Sequence, residues 1–566
     1  MTTPDAAGPS GAIEAARAWL AQDPDTETRA ELQSLITAAE GGDAAASADL
    51  VDRFGSRLAF GTAGLRGALG AGSNRMNRVL VAQAAAGFAA YLRERPEAAE
   101  QPSVVIGYDA RKNSHVFARD SAEIFAGAGL RAILLPQMLP TPVLAFAVRH
   151  LAADAGVMVT ASHNPPEDNG YKVYLGGADE GTQIVAPADA AIAAQIDHVA
   201  RTQRVDALPR SEDYEVAPQS VLDAYVAASA AVAPAPSAAD ALRWVYTPLH
   251  GVGWHTLERV LDAAGYPHPT LVDEQAAPDG SFPTVAFPNP EEPGAMDLAF
   301  ATARRAGAQF VLANDPDADR LAVAIPDSGH AADGGWRRLT GNEVGLLLGW
   351  WAARRARSAG AGEGATLACS LVSSPGLEAV AHRYGLVFRE TLTGFKWISR
   401  APGIVYGFEE ALGYLVDPGS VRDKDGVSAA VAVLAIAADA HARGSTLRDE
   451  LERFGDEFGH YASTQVSVRV TDLGIIAQTM ARLRSAPPAA WGGVAVAQAD
   501  DLLHPTDGGA SGDVLRYRLE DGSRVIVRPS GTEPKLKVYI DARGDTAADA
   551  AARVVRLEDA ARALVA

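Results

Sequence analysis

Four short stretches of this 566-residue sequence hold residue types whose spacing suits chemistry. In Val157-Met-Val-Thr160-Ala-Ser162-His163-Asn164-Pro165-Pro166, an apolar run ends in a hydroxyl, an imidazole and two prolines. The proline pair forbids a continuing strand or helix, so Ser162 is predicted at the carboxyl end of a parallel strand, where open α/β sheets bind ligands. A plain Ser-Asn-Pro turn has the same composition. In Phe310-Val-Leu-Ala-Asn314-Asp315-Pro-Asp317-Ala-Asp319-Arg320, three carboxylates alternate after another apolar run and can converge on a hard divalent cation. An EF-hand is excluded, because the sixth loop position is Arg320 and the twelfth is Pro326. Arg320 would suit a phosphate oxygen beside such a metal, whereas a solvated acidic turn would have no use for it.

The third stretch, Gly407-Phe-Glu409-Glu410-Ala411-Leu-Gly413-Tyr414, sets adjacent carboxylates after an apolar strand. That fits recognition of sugar hydroxyls, and equally an ordinary acidic loop. The fourth, Arg528-Pro-Ser530-Gly531-Thr532-Glu-Pro-Lys535, gathers cations, hydroxyls and a glycine-freed backbone, the inventory of a phosphate-binding loop. Two further basic loops join them: Gly61-Thr-Ala-Gly64-Leu-Arg66-Gly67, and Thr391-Leu-Thr393-Gly394-Phe395-Lys396. Walker A, His-Glu-x-x-His and Gly-x-Ser-x-Gly patterns are absent, which removes P-loop kinases, zincins and α/β-hydrolases. Cys369 reads as a core residue, and His250 and Trp254 as supports of a turn.

These loops need elements to position them. After Gly61, β-branched apolar runs alternate with helical patterns in three successive blocks, the signature of βαβ units and mostly parallel sheets. Ser103–Tyr108, Gly376–Tyr384 and Val387–Thr391 are typical members. The last block differs: strands at Leu515–Leu519 and Arg524–Val527 flank Asp521-Gly522, a hairpin signal, and a helix closes the chain. The predicted class is therefore three consecutive α/β domains with mixed, mostly parallel sheets plus a C-terminal α+β domain. The expected boundaries are a helical extension over 1–50, then domains at 51–215, 216–335, 336–458 and 459–566. Ile13–Leu20 and Glu31–Ala39 repeat at helical spacing and are read as surface helices.

Composition bounds the partners. With 50 Lys and Arg against 70 Asp and Glu, the formal charge is −20, which disfavours nucleic acid and anionic membranes. One cysteine allows neither an intramolecular disulfide nor a multi-cysteine zinc site. Val427–Ala440 is too short to span a bilayer and is read as a core helix, and no signal peptide pattern opens the chain. The expectation is a cytoplasmic protein. Its oligomeric state is not set by the sequence, and a monomer is compatible with it.

Together, in this order and one per block, the four loops resemble those of the α-D-phosphohexomutase superfamily over essentially all of the chain after residue 50. Thr160-Ala-Ser-His-Asn-Pro, Asp315-Pro-Asp-Ala-Asp-Arg and Arg528-Pro-Ser-Gly-Thr-Glu-Pro-Lys look like its phosphoserine, metal and phosphate loops. Phe60-Gly-Thr-Ala-Gly-Leu-Arg-Gly, Thr247-Pro-Leu-His-Gly and Thr391-Leu-Thr-Gly-Phe-Lys look like its phosphoglucomutase and phosphopentomutase branch.

The resemblance implies a heart-shaped four-domain molecule that interconverts glucose 1-phosphate and glucose 6-phosphate through phosphorylated Ser162. It implies Mg²⁺ on Asp315, Asp317, Asp319 and a Ser162 oxygen, and glucose 1,6-bisphosphate as intermediate and activator. Lys172 becomes a candidate for general acid/base work, Arg66 and Arg320 for stabilising the moving phosphoryl group, and His163 joins the catalytic set. Thr393, Gly394, Lys396, Glu409, Glu410, Arg528, Ser530, Gly531, Thr532 and Lys535 would bind the substrate. Many relatives have serine where this chain has Ala411, which leaves hexose against pentose preference open; mannose and pentose phosphates are the alternative substrates on the same scaffold. A metal-dependent sugar phosphatase would leave Arg528–Lys535 without a role, and an inactive binding protein would be expected to have lost Ser162 or an aspartate.

Overall fold

The computed structural model describes residues 8–62, 64–95, 99–330, 334–469, 473–503, 511–529 and 535–565. Its contacts divide the chain into two compact bodies, Met1–Arg337 with Asp417–Ala435, and Arg338–Val416 with Ile436–Ala566.

The first body holds two mixed sheets. In one, Ala155–Val159, Ser103–Tyr108, Arg131–Leu134 and Glu215–Val216 run parallel in that order. Asp168–Leu175 and then Leu65–Ala68 add antiparallel strands at the other edge. In the other, Phe310–Asn314 pairs parallel with Trp244–Thr247 and antiparallel with Leu321–Pro326. Ala155–Val159 and Phe310–Asn314 are buried at every position, as expected of strands covered on both faces. Their carboxyl ends deliver Ser162 and Asp315.

The N-terminal helices Pro9–Leu20, Thr26–Glu40 and Ala44–Phe54 are surface helices, exposed on one side and buried on the other. Ala12, Ala16, Trp19, Leu32, Ile36, Leu50 and Phe54 are buried in one apolar cluster with Leu80 and Phe88. Small alanines let these helices sit close to the domain they cover.

The second body pairs Val387–Thr391, Thr366–Ser370 and Ile404–Glu409 in parallel, with Gly413–Leu415 antiparallel at the edge. Its other sheet is antiparallel, in the order His460–Arg469, Lys535–Gly544, Arg524–Pro529, Leu515–Leu519, Val494–Asp501, Ala490–Trp491. The hairpin expected at Asp521-Gly522 is present. Three mixed α/β sheets and an antiparallel C-terminal sheet thus match the predicted class. The helix Gly426–Ala442 is apolar, with Val427, Ala430, Val431 and Leu434 fully buried. Among the described residues, no single helix is long and apolar enough to cross a membrane.

Candidate active site

Ser162 sits just past Ala155–Val159 at φ 53°, the left-handed region that a non-glycine residue occupies at a cost of about 1–2 kcal/mol. The surroundings hold it there. Thr160 Oγ1 accepts from the Ser162 amide at 2.8 Å. The Arg111 guanidinium donates to the carbonyl oxygens of Ser162 at 2.6 Å, Pro165 at 2.7 Å, Asp168 at 3.1 Å, and Asn164. Arg111 is 2% exposed and lies 3.6 Å from Asp109 Oδ2.

Ser162 Oγ donates to Asp315 Oδ2 at 2.9 Å and lies 3.2 Å from His163 Nδ1. Asp315, Asp317 and Asp319 are fully buried, and each offers a carboxylate oxygen within 4.8 Å of the others. Lys172 donates to Asp317 Oδ2 at 2.7 Å and Asp319 Oδ2 at 2.9 Å. Thr141 Oγ1 donates to Asp317 Oδ2 at 2.6 Å, and Lys424 Nζ lies 3.3 Å from Asp319 Oδ2. In both Asp317 and Asp319 one oxygen is thus held by the protein, while Oδ1 is buried without a hydrogen-bond donor among the described residues. Two buried oxygens of that kind beside a third carboxylate and a hydroxyl, with no nitrogen or sulfur donor in the cluster, fit a hard divalent cation.

The charges are balanced locally. Burial, reinforced by the charges of Asp317 and Asp319, pushes Asp315 well above the usual carboxylate range. Burial opposes the ionised form of Asp319 too, but Lys172, Lys424 and Arg320 outweigh it and hold that carboxyl below its ordinary value. Burial, then the Arg320 and Arg66 charges, pushes His163 well below its ordinary value, so its ring is neutral at pH 7. Burial works against the charge on Lys172, but Asp317 and Asp319 prevail and keep it protonated.

Of the residues singled out in the sequence, Ser162, His163, Lys172, Arg66, Arg320 and the three aspartates come together in the first body. Arg66 lies on Leu65–Ala68, and its Nη1 donates to Asn164 Oδ1 at 3.3 Å. A Cβ on Gly64 would fall 1.8 Å from the Tyr171 carbonyl oxygen, so glycine is required for that strand to approach. Arg320 closes the acid loop through its amide, 3.0 Å from Asp315 Oδ1. The sequence reading missed Lys424, Arg111 and Thr141. A usable signal existed for two of them: Asp109-Ala-Arg111 ends a parallel strand, and Asp423-Lys424-Asp425 precedes an otherwise apolar helix.

In the second body, Glu409 ends the strand Ile404–Glu409 and Glu410 follows it in the turn. Glu410 Oε2 accepts from Ser370 Oγ and Ser373 Oγ, each at 3.0 Å. Arg528 Nη1 donates to Thr393 Oγ1 at 2.8 Å, which joins two of the anticipated substrate loops. Gly394 has φ 105° and leads into the short helix carrying Lys396, and Lys535 opens the strand Lys535–Gly544. Ser530, Gly531 and Thr532 lie outside the described residues.

Four family models match the chain in series. They are phosphoglucomutase/phosphomannomutase α/β/α domain I over residues 57–203, domain II over 223–329, domain III over 340–454, and the C-terminal domain over 466–558. A Haemophilus influenzae protein named "Probable phosphomannomutase" is 55% identical over 475 residues, covering 84% of this chain and 94% of that protein. A Homo sapiens protein named phosphopentomutase is 35% identical over 570 residues, covering 92% and 90%. Among solved structures, a Thermus thermophilus protein with the provisional name phosphomannomutase superposes with TM-score 0.69 at 25% identity, covering 90% of this chain and 99% of that one.

Proposed function

This chain belongs to the phosphoglucomutase/phosphomannomutase family, whose members are phosphomutases, and from that premise we propose that it interconverts glucose 1-phosphate and glucose 6-phosphate with Ser162 as the phosphoryl carrier. The observation that carries this reading is the Ser162 hydroxyl, 2.9 Å from Asp315 in a cluster of three buried aspartates, of which Asp317 and Asp319 each keep a donor-free oxygen among the described residues. Asp315, Asp317, Asp319 and a Ser162 oxygen would hold Mg²⁺, which when bound supplies Lewis-acid polarisation and charge compensation for the phosphoryl group.

The chain's own residues do the rest. Phosphoryl transfer needs positioning and positive charge more than covalent help, and Arg66, Arg320, Lys172 and Lys424 surround the acid loop with cations. The phosphoserine P–O bond breaks as a sugar hydroxyl oxygen bonds to phosphorus and the hydroxyl proton passes to the released Ser162 oxygen, giving a bisphosphate and free Ser162. The bisphosphate turns end for end, and its other phosphate returns to Ser162. A protonated Lys172 is suited to donate a proton or stabilise charge. Neutral His163, 3.2 Å from Ser162 Oγ, is suited to accept the hydroxyl proton when Ser162 is rephosphorylated. Glu409 would recognise sugar hydroxyls, and Thr393, Lys396, Arg528 and Lys535 the phosphate that is not being transferred. Glucose 1,6-bisphosphate would serve as activator.

A second reading, a pentose 1-phosphate substrate, is favoured by Ala411, which offers the sugar no hydroxyl contact, and agrees with the name of the human relative. Initial rates on glucose 1-phosphate, mannose 1-phosphate and ribose 1-phosphate separate the choices. The mechanism is tested by intact-mass analysis, which should find a phosphorylated fraction mapping to Ser162. Ser162→Ala should lower mutase turnover at least about a thousandfold. Near-normal turnover in Ser162→Ala, or phosphate only on another residue, would overturn it.

A further inference from the structure

Among the described residues of the second body, Arg524 is a buried charge that makes four hydrogen bonds. It is 4% exposed, on the strand Arg524–Pro529. Its Nη1 donates to Glu390 Oε1 at 2.7 Å, its Nε and Nη2 to Asp541 Oδ2 at 3.1 and 2.7 Å, and Nη2 also to the carbonyl of Ser373. Asp541 is held from its other side by Ser463 Oγ at 2.7 Å, and Glu390 by Arg516 Nη1 at 2.6 Å.

Ser373 carries the network onward. Its Oγ donates to Glu410 Oε2 at 3.0 Å and accepts from the Glu410 amide at 3.0 Å, while Ser370 Oγ reaches the same Oε2 at 3.0 Å. One Glu410 oxygen thus points at two buried serines. On the opposite side of the tie, side chains alternate along a strand, so Arg524, Ile526 and Arg528 share a face. Ile526 packs with Leu371, Val372, Val514 and Tyr539, and Arg528 reaches Thr393. A single row on one strand therefore meets the ends of the strands Thr366–Ser370 and Val387–Thr391, and Ser373 passes the tie on to Glu410 just past Ile404–Glu409.

We infer that Arg524, through Ser373 and Glu410, is a positioning residue of the mutase reaction: it fixes the sugar-recognising end of Ile404–Glu409 in register with the phosphate-recognising strand that carries Arg528. This rests on the reading of Glu409 and Arg528 as substrate residues given above. Adhesion alone would not call for it. Apolar side chains hold such contacts as well as a buried ion pair does, and the Ile526 cluster already supplies them. What a planar guanidinium adds is direction, because its donors fit two carboxylates and a carbonyl in one orientation only. Glu410 then serves as an anchor that leaves its neighbour Glu409 at the strand end.

The test compares the full-length chain with Arg524→Met and Arg524→Lys, in steady-state mutase assays on glucose 1-phosphate and in calorimetric titrations with glucose 1,6-bisphosphate. Arg524→Met should raise KM and the bisphosphate Kd at least tenfold with kcat within threefold, and Arg524→Lys should fall between. The phosphorylated fraction at Ser162 should not change, since that residue lies in the other body. A folded Arg524→Met with KM and Kd within twofold of the parent, or with kcat falling in step while Kd holds, overturns the assignment. Should Arg524→Met not fold, the double variant Ser370→Ala, Ser373→Ala decides: the same rise is expected, and unchanged KM and Kd overturn it. Absence of turnover by the parent would instead count against the mutase reading, and the Kd comparison would still decide the role of Arg524.

Discussion

Replacing Lys172 with methionine keeps the bulk of the stem and removes a cation that serves two acids, 2.7 Å from Asp317 and 2.9 Å from Asp319. Removing one partner of a buried ion pair costs about 3–5 kcal/mol, because the other charge stays buried and uncompensated. Asp319 keeps Lys424 at 3.3 Å, and Asp317 keeps the Thr141 hydroxyl at 2.6 Å, so the low end, about 3 kcal/mol, is the expectation for metal-free protein. The first body has roughly 350 residues, and at about 2.1 cal/mol/K per residue its unfolding entropy is about 0.7 kcal/mol/K. The midpoint of thermal unfolding in EDTA should therefore fall by about 4 °C. The response to Mg²⁺ has the opposite sign. With less protein charge facing the aspartates, the ion should bind more tightly, and a tenfold gain is worth about 1.4 kcal/mol. At saturating Mg²⁺ the rise in midpoint should exceed the parent's by about 2 °C, even though turnover falls. Scanning calorimetry in EDTA and across a Mg²⁺ series measures both shifts. A variant that gains no more from Mg²⁺ than the parent, or that is more stable than the parent in EDTA, would refute the charge balance drawn here.

Gly426→Ala should damage the acid loop specifically, because its Cβ would fall 2.3 Å from the Arg320 carbonyl oxygen, 2.5 Å from Asn314 Nδ2 and 2.8 Å from the Ala318 carbonyl oxygen. The expected result is a folded protein whose Mg²⁺-dependent thermal shift is lost, and an unchanged shift would show that the loop tolerates the intrusion. Glu409→Gln should lower turnover with little effect on inhibition by inorganic phosphate, and Ala411→Ser should alter the ratio of hexose to pentose rates. Equal behaviour of Ala411→Ser and the parent on all three sugar 1-phosphates would remove Ala411 from the specificity argument.

The acid loop and Ser162 were legible because each lies directly after a continuous apolar strand, and a strand end fixes where its next residues go. Ser103–Tyr108 emerges with the predicted bounds for the same reason, and Gly376–Tyr384 and Val387–Thr391 do because Gly385 closes the helix just before the strand begins. The charged flank Asp423-Lys424-Asp425 marked Lys424 as unusual but not its role, since its partner Asp319 is about a hundred positions away and only the fold pairs them. Arg111 is similar: its targets are main-chain carbonyls, which carry no side-chain signature. The helix Arg78–Glu94 is buried nearly all round and shows no polar stripe to reveal its period. The N-terminal helices were legible from their helical spacing, but not which cluster their buried face joins, because alanine carries little contrast to mark a partner.

The division of the chain into two bodies has a consequence for descent. Ser162, the acid loop and the cations around them belong to one body, while Glu409, Ala411, Thr393 and Arg528 belong to the other. On the proposed roles, a substitution that changes which sugar is preferred could therefore arise and be selected in one part of the gene without first disturbing the transfer chemistry encoded in the rest. Lineages built on this plan can diverge in diet while inheriting the same chemistry, and relatives that carry the names of a mannose-phosphate and a pentose-phosphate enzyme at 55% and 35% identity are what such a history would leave behind.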